Sequence, residues 1–513
     1  MTTAASPPEG KAAASLASKM SPRELRIVLI AVMTGMFLGA IDGTIVSTAL
    51  PTIVGDLGGQ SQAPWIGTGF LLAQTIGTPI IGKLSDIYGR KVTFQSTIVA
   101  FLLTSLLCGI AQTMVQLVAF RFLQGLAAAG LLALPFAIMG DLMSPTERAR
   151  NQGYASGAFL VAALIGPLLG GFIVDASSWR WIFLINIPVG AVALAAVQRH
   201  LHIPRKPTRA AIDYPGALTL TLATGPLVIG LLWSGQEHGW TSATTLALFA
   251  TAAVGAALFL LVESRAAEPI LPLSLFANRV VRTTLIGGFV SGVAVYALSS
   301  YSPVFMQIVR GASATESGLL SIPNMVMVTF ASITSGRLIA RYGSYRPYPI
   351  LGCVCMLLGA VLLSTMDVHT SLASVSARAA VIGLGIGQLG PSMNLIVQNA
   401  VRYQELGVAT AGLTFVRSLG GVLGSAVLGA VYRNRLDVLI PRYVGSATVN
   451  AIGLSRLEGR PAAIRALAEP VRSQTIRGFA DSITSTFSWA IPVVIVALVV
   501  FVTVPVIPLR DDQ

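Results

Sequence analysis

Three charged side chains sit inside long apolar runs of this sequence. Asp42 interrupts Leu38-Gly39-Ala40-Ile41-Asp42-Gly43-Thr44-Ile45-Val46-Ser47-Thr48-Ala49-Leu50-Pro51, about 16 residues or ~24 Å from the charged start of its segment. A carboxylate at that depth costs several kcal/mol unless it is hydrated, paired or protonated. Asp42 is therefore the candidate proton carrier, the plain alternative being an Asp that only hydrogen-bonds a neighbour. Arg121 opens Arg121-Phe122-Leu123-Gln124-Gly125. A guanidinium keeps its proton, so its candidate role is to bias a nearby carboxylate; lying within two turns of its helix start, it also has the option of snorkelling outward. Arg417, in Arg417-Ser418-Leu419-Gly420-Gly421, is the only charge in the membrane core of the second half, about 12 Å into its helix. It either binds an anionic substrate group or pairs with a helix end.

The elements that hold these residues are membrane helices. The chain has 513 residues, 54% hydrophobic and 11% charged, with mean hydropathy +0.75. That is too little charge to cover a soluble surface and more apolar side chain than one core uses. Fourteen windows are long enough to cross a hydrocarbon core of about 30 Å. They run at 25–51, 63–82, 92–112, 114–140, 151–174, 181–201, 214–234, 242–263, 281–308, 318–340, 347–366, 377–400, 409–431 and 482–506. The fold class is thus an all-α membrane protein.

Charge placement gives the topology. Of 34 Lys and Arg, 21 fall on the connections that share the N-terminal side, and three, Arg180, Arg310 and Arg378, on the short connections opposite. The positive-inside rule then puts both termini in the cytoplasm of a multi-pass protein of the cell membrane. The formal charge of +13 follows this alternation and does not indicate a nucleic-acid partner. The segment 433–481, with eight Arg and four acids, is the exception, placed outside by helix count. Residues 1–24 read as a disordered cytoplasmic tail, and helix 1 is too long for the apolar region of a cleavable signal. Cys108, Cys353 and Cys355 fall within helices as packing residues rather than disulfides or metal ligands. All four histidines lie in connections, which excludes a buried histidine relay.

The chain is duplicated. The turn Gly82-Lys83-Leu84-Ser85-Asp86-Ile87-Tyr88-Gly89-Arg90-Lys91 has a degenerate copy starting at Gly336, 254 residues later, and the same offset relates Gly166 and Gly170 to Gly420 and Gly424. The domains expected are a six-helix bundle over 25–201, an inserted transmembrane hairpin with connectors over 202–280, and a second six-helix bundle over 281–513 carrying an extracellular loop, 432–481.

The turn 82–91 resembles the signature loop of the major facilitator superfamily, G-x-L-x-D-x-x-G-R-K, at every defined position. The resemblance implies the major facilitator fold and a conformational latch in which Gly82, Asp86, Gly89, Arg90 and Lys91 act with Asp141 and the start of helix 13. The helix 1 sequence around Asp42 is similar to that of the fourteen-helix drug:proton antiporter family, as is Trp179-Arg180-Trp181-Ile182-Phe183-Leu184-Ile185-Asn186-Ile187-Pro188. Arg121 to Gly125 resembles the R-x-x-Q-G motif, whose Arg takes part in proton coupling. Gly166-Pro167-Leu168-Leu169-Gly170-Gly171 resembles the G-P-x-x-G-G motif of exporters, and we expect it to bend its helix and pack tightly against the other half.

The expected function is a proton-coupled exporter, an antiporter of drugs or other amphipathic small molecules working by alternating access. Protons, the lipid bilayer and a small amphipathic substrate are its partners, and the proton gradient stands where a cofactor would. Asp42, Phe37, Phe289, Tyr296, Tyr301, Phe415 and Arg417 are the candidate substrate contacts. Export of an endogenous lipid, siderophore or secondary metabolite is the alternative, and a non-transporting receptor or scaffold a distant one. An enzyme is not expected, since no metal cluster, nucleophile elbow or phosphate loop falls at membrane depth. Acids other than Asp42 are absent from mid-helix, which argues against a strong preference for dications.

Overall fold

In the computed structural model the described residues are 21–58, 62, 64–201, 213–236, 239–402, 405–446, 448–449 and 461–505. Among the described residues there are fourteen long helices: α1 Pro22–Leu57, α2 Pro64–Tyr88, α3 Arg90–Gly109, α4 Met114–Leu142, α5 Pro145–Ala176, α6 Asn186–His200, α7 Tyr214–Gln236, α8 Ala243–Glu263, α9 Arg279–Ile308, α10 Ile322–Tyr342, α11 Pro347–Ser364, α12 Leu372–Ala400, α13 Leu406–Val444 and α14 Val471–Val502. Thirteen helical stretches among the described residues meet the length and hydropathy needed to cross a membrane. The remaining long helix, α2, carries Thr68, Gln74, Thr75 and Thr78 and is packed between α4 and α13, which shelter that polarity.

Local sequence sets where helices begin. Ser21 and Glu24 form a capping box with Pro22 in the first turn, and Ser144, Pro145 and Glu147 repeat it at α5, satisfying amide groups that a helix start leaves without partners. Asn278 accepts the amides of Val280 and Val281 at the start of α9. Between α2 and α3 the chain breaks only at Gly89, whose φ of 92° an L side chain rarely adopts.

Each half has its own apolar core, one on Phe94, Phe101 and Leu131, the other on Phe305, Phe479 and Phe487. The halves meet along α5 against α10 and α2 against α13, while α7 of the inserted hairpin lies on α2 and α13. Trp65 and Trp233 join α2 to α7 edge to face, 5.8 Å between ring centres. The duplication is visible in the packing: Gly166 and Gly170 of α5 lie against Thr44 and Thr48 of α1, as Gly420 and Gly424 of α13 lie against the backbone at Phe289 and Val293 of α9.

Several expectations change. The loop expected at 432–481 is much shorter, because α13 continues to Val444 and α14 begins at Val471. Its charged residues Arg433, Arg435 and Asp437 ride on a helix whose other face, Leu436 and Ile440, is buried against α14. Helix α1 starts at Pro22, within the tail expected over 1–24; residues 1–20 lie outside the described residues, as do the connector residues 202–212 and residues 450–460. Gly82 to Tyr88 is the end of α2 rather than part of a turn. Gly166 and Gly170 pack within their own half, not against the other, and Gly171 faces open space.

Candidate functional site

Asp42 and Arg121, 79 residues apart, form an ion pair in the first half, with side-chain exposures of 0% and 1%. Asp42 is therefore not the isolated carboxylate its sequence context suggests, and Arg121 does not snorkel. The pair sits in a shell of neutral polar groups. Gln124 donates to Asp42 at 3.1 Å and to Ser105 at 2.7 Å, and Asn186 donates to Asp42 at 3.2 Å. Arg121 also donates to the Gln124 carbonyl at 2.7 Å and to the Ile66 backbone at 3.3 Å, and lies 4.1 Å above the Phe70 ring. Five segments thus converge on one buried pair, a geometry in which its desolvation is offset by hydrogen bonds as well as by attraction. Gln124 was readable from the sequence, three residues after Arg121 on the same helix face. Ser105 and Asn186 were not, since neither stands out in an apolar helix.

A second cluster joins the halves at the end of the bundle that carries residues 21 and 505. Arg90 pairs with Asp86 and with Asp141, the latter at 2.9 Å, and donates to Ser85 at 2.5 Å. The other oxygen of Asp86 accepts the amide of Val408 in the first turn of α13, at 3.2 Å. There the carboxylate meets amide groups and the positive end of the helix. Gly82 lets α13 approach, since a Cβ on it would collide with Ala411. Lys91 turns away, donating to the Gln198 backbone at 2.8 Å, and Lys83 binds Glu268 of the connector at 2.8 Å. Gln398 of α12 adds a bond to the Phe136 backbone at 3.2 Å.

Between the halves lies a cavity of about 380 Å³, walled by α4, α5, α9, α10, α12 and α13. Phe136, Phe159 and Tyr296 supply aromatic surface, and Arg417, Asn394, Ser291 and Ser418 the polar points. This volume falls in the range of small-molecule sites. Of the expected contacts, Tyr296 and Arg417 line it, but Asp42 does not. Phe37 borders a separate groove on α1 and α5. Phe415 is buried in the apolar core of the second half, and Tyr301 packs against Tyr432 with tilted rings, 5.2 Å between ring centres. Phe289 does not line the cavity either; its backbone is where α13 crosses α9 at Gly420.

On the far face, Trp179 and Arg180 donate to Asp56 at 2.8 and 3.0 Å, and those hydrogen bonds hold the Asp56 carboxyl below the usual carboxylate range.

Comparison with known proteins agrees with this architecture. The Major Facilitator Superfamily profile matches residues 32–425. The chain is 38% identical, over 85% of its length and 81% of the relative's, to multidrug transporter protein MdtP of Bacillus subtilis (strain 168). It is 32% identical, over 93% of its length and 94% of the relative's, to multidrug resistance protein 3 of the same organism. Among solved structures, the proton:xylose symporter XylE superposes with a TM-score of 0.59 at 14% identity, covering 94% of this chain and 96% of that one, which bears on the fold alone. The chain belongs to the Major Facilitator Superfamily and is a multi-pass membrane transporter.

Proposed function

We propose that the protein is a proton-driven exporter of small amphipathic molecules, working by alternating access in the cell membrane with both termini in the cytoplasm. The observation that carries this reading is the separation of two sites in the first half and the interface. A carboxylate–guanidinium pair is sealed from solvent at 0% and 1% exposure, and the cavity that suits a substrate lies elsewhere. Protonation of Asp42 would remove the charge that holds Arg121, leaving the guanidinium only its bonds to Gln124 and Ile66, so a proton can bias helix packing without touching substrate. The latch on Arg90 then closes the cytoplasmic face, and loss of its contacts opens it. Relatives named as multidrug transporters, together with Gly166-Pro167-Leu168-Leu169-Gly170-Gly171, favour export and a drug-like substrate over a dedicated lipid or metabolite.

One proton falling through one pH unit supplies about 1.4 kcal/mol, enough for roughly tenfold accumulation of a neutral solute. The test is uptake of an amphipathic dye into inverted vesicles under an imposed pH gradient. Wild-type vesicles should accumulate dye until a protonophore is added. Asp42→Asn should abolish gradient-driven accumulation while leaving dye binding within about twofold. Uptake indifferent to the gradient, or wild-type rates from Asp42→Asn, would sink the reading.

A further inference from the structure

The cavity has a sign. Arg417 lies eleven residues into α13, about 16 Å from the helix start, where a charge is expensive unless something answers it. In the first half that answer is built in, as Asp42 for Arg121. Among the described residues Arg417 makes no hydrogen bond or ion pair and no acidic side chain lines the cavity. Arg417 is half-buried and lines the cavity, its Nη1 beside Gly390, where an added Cβ would stand 3.7 Å away. Next to it the Asn394 side chain, 4% exposed and lining the same cavity, is likewise without a hydrogen-bond partner.

We infer that this cavity is a binding site for anionic amphiphiles, in which Arg417 receives a carboxylate, sulfonate or phosphate oxygen pair, Asn394 donates beside it, and Phe136, Phe159 and Tyr296 hold the apolar body. A planar guanidinium matches an oxyanion through two parallel N–H donors, and a low-dielectric wall strengthens that contact. A cationic amphiphile of the same shape would meet the same walls and an uncompensated like charge. The inference names the substrate class of the proposed exporter and rests on that reading only for the movement of the ligand; the site itself is tested by binding.

The experiment uses full-length protein in lipid nanodiscs and two dyes on one xanthene frame, anionic fluorescein and the cationic ester rhodamine 6G, with binding read by fluorescence anisotropy. Wild type should bind fluorescein at least tenfold more tightly than rhodamine 6G. Arg417→Gln should weaken fluorescein at least tenfold and leave rhodamine 6G within twofold. Arg417→Lys, which keeps the charge and loses the fork, should fall between and also serves if Arg417→Gln does not fold. Equal or tighter binding of rhodamine 6G by wild type, binding of neither dye, or parallel loss of both dyes in a folded Arg417 variant overturns the inference. In proteoliposomes under a pH gradient, export of rhodamine 6G without fluorescein overturns it while leaving the proposed function intact. Selective fluorescein binding with no gradient-driven movement of either dye upholds the anion site and overturns the transport reading instead.

Discussion

The two copies of the duplicated loop sit in matching places and do different amounts of work. In the first, Asp86, Arg90 and Asp141 form a buried charged cluster that crosses to the start of α13 through Val408. In the second, 254 residues on, Ala340 replaces the Asp and Ser344 the Arg, while Gly343 keeps a positive φ of 66°. At the loop a bond from Arg337 to the Tyr154 hydroxyl at 3.2 Å, exposed to solvent, crosses that side of the interface. Tyr154 stands in α5 where Val408 stands in α13. The backbone turn has survived in both copies; the charged bridge holds in one. The charged contact across this face is therefore lopsided, buried where α2 meets α13 and reduced to an exposed bond where α10 meets α5. Even the strong side is not saturated, since Asp141 Oδ1 is buried without a hydrogen-bond partner, which lowers the cost of breaking it.

The largest break of this asymmetry is expected from Arg90→Gln. It would leave Asp86 and Asp141 buried without their cation, a change worth about 3–5 kcal/mol, more than the few kcal/mol that separate transporter conformers. A reporter cysteine at Ala411, which is buried against Gly82, should then react with a maleimide more than about a hundredfold faster. An unchanged rate would remove the latch from the mechanism. Asp86→Asn is milder. The amide oxygen still accepts the Val408 N–H and Arg90 keeps Asp141, so about 1–2 kcal/mol is lost and labelling should rise about five- to thirtyfold. If Asp86→Asn matched Arg90→Gln, the Asp86–Arg90 contact alone, rather than the cluster with Asp141, would be the seat of closure.

Charges at helix ends were legible in the sequence, because a motif fixes their spacing and a partner acid has few places to be. The pairing of Asp42 with Arg121 was legible in kind, though its neutral shell was not: Ser105 and Asn186 act through where α3 and α6 are rotated, which near-uniform apolar helices do not encode. The same rotation decided the cavity. Phe289, Tyr301 and Phe415 are aromatic at plausible depth yet do not line it, while Phe136, Phe159 and Asn394 line it without any signal of spacing. The end of α13 was misread for a different reason. Arg433, Arg435 and Asp437 lower the hydropathy below that of a membrane span, but a helix need not stop where the bilayer does when Leu436 and Ile440 still have α14 to pack on.

The smallest expected effect tests the weak side. Arg337→Gln removes an exposed guanidinium whose partner Tyr154 is 40% exposed, so the hydroxyl can bond water instead. Solvent-exposed polar contacts of this kind are worth less than about 0.5 kcal/mol, so labelling of the Ala411 reporter should stay within about twofold of the parent. The same α10–α5 seam is held further in by Ser156 and Ser332, 2.7 Å apart, and by Thr329 donating to the Ser156 backbone at 3.4 Å, contacts that Arg337→Gln leaves alone. Should Arg337→Gln open the face as much as Asp86→Asn does, the two seams would carry equal loads. The loss of Asp and Arg from the second copy would then have been made good elsewhere along α10.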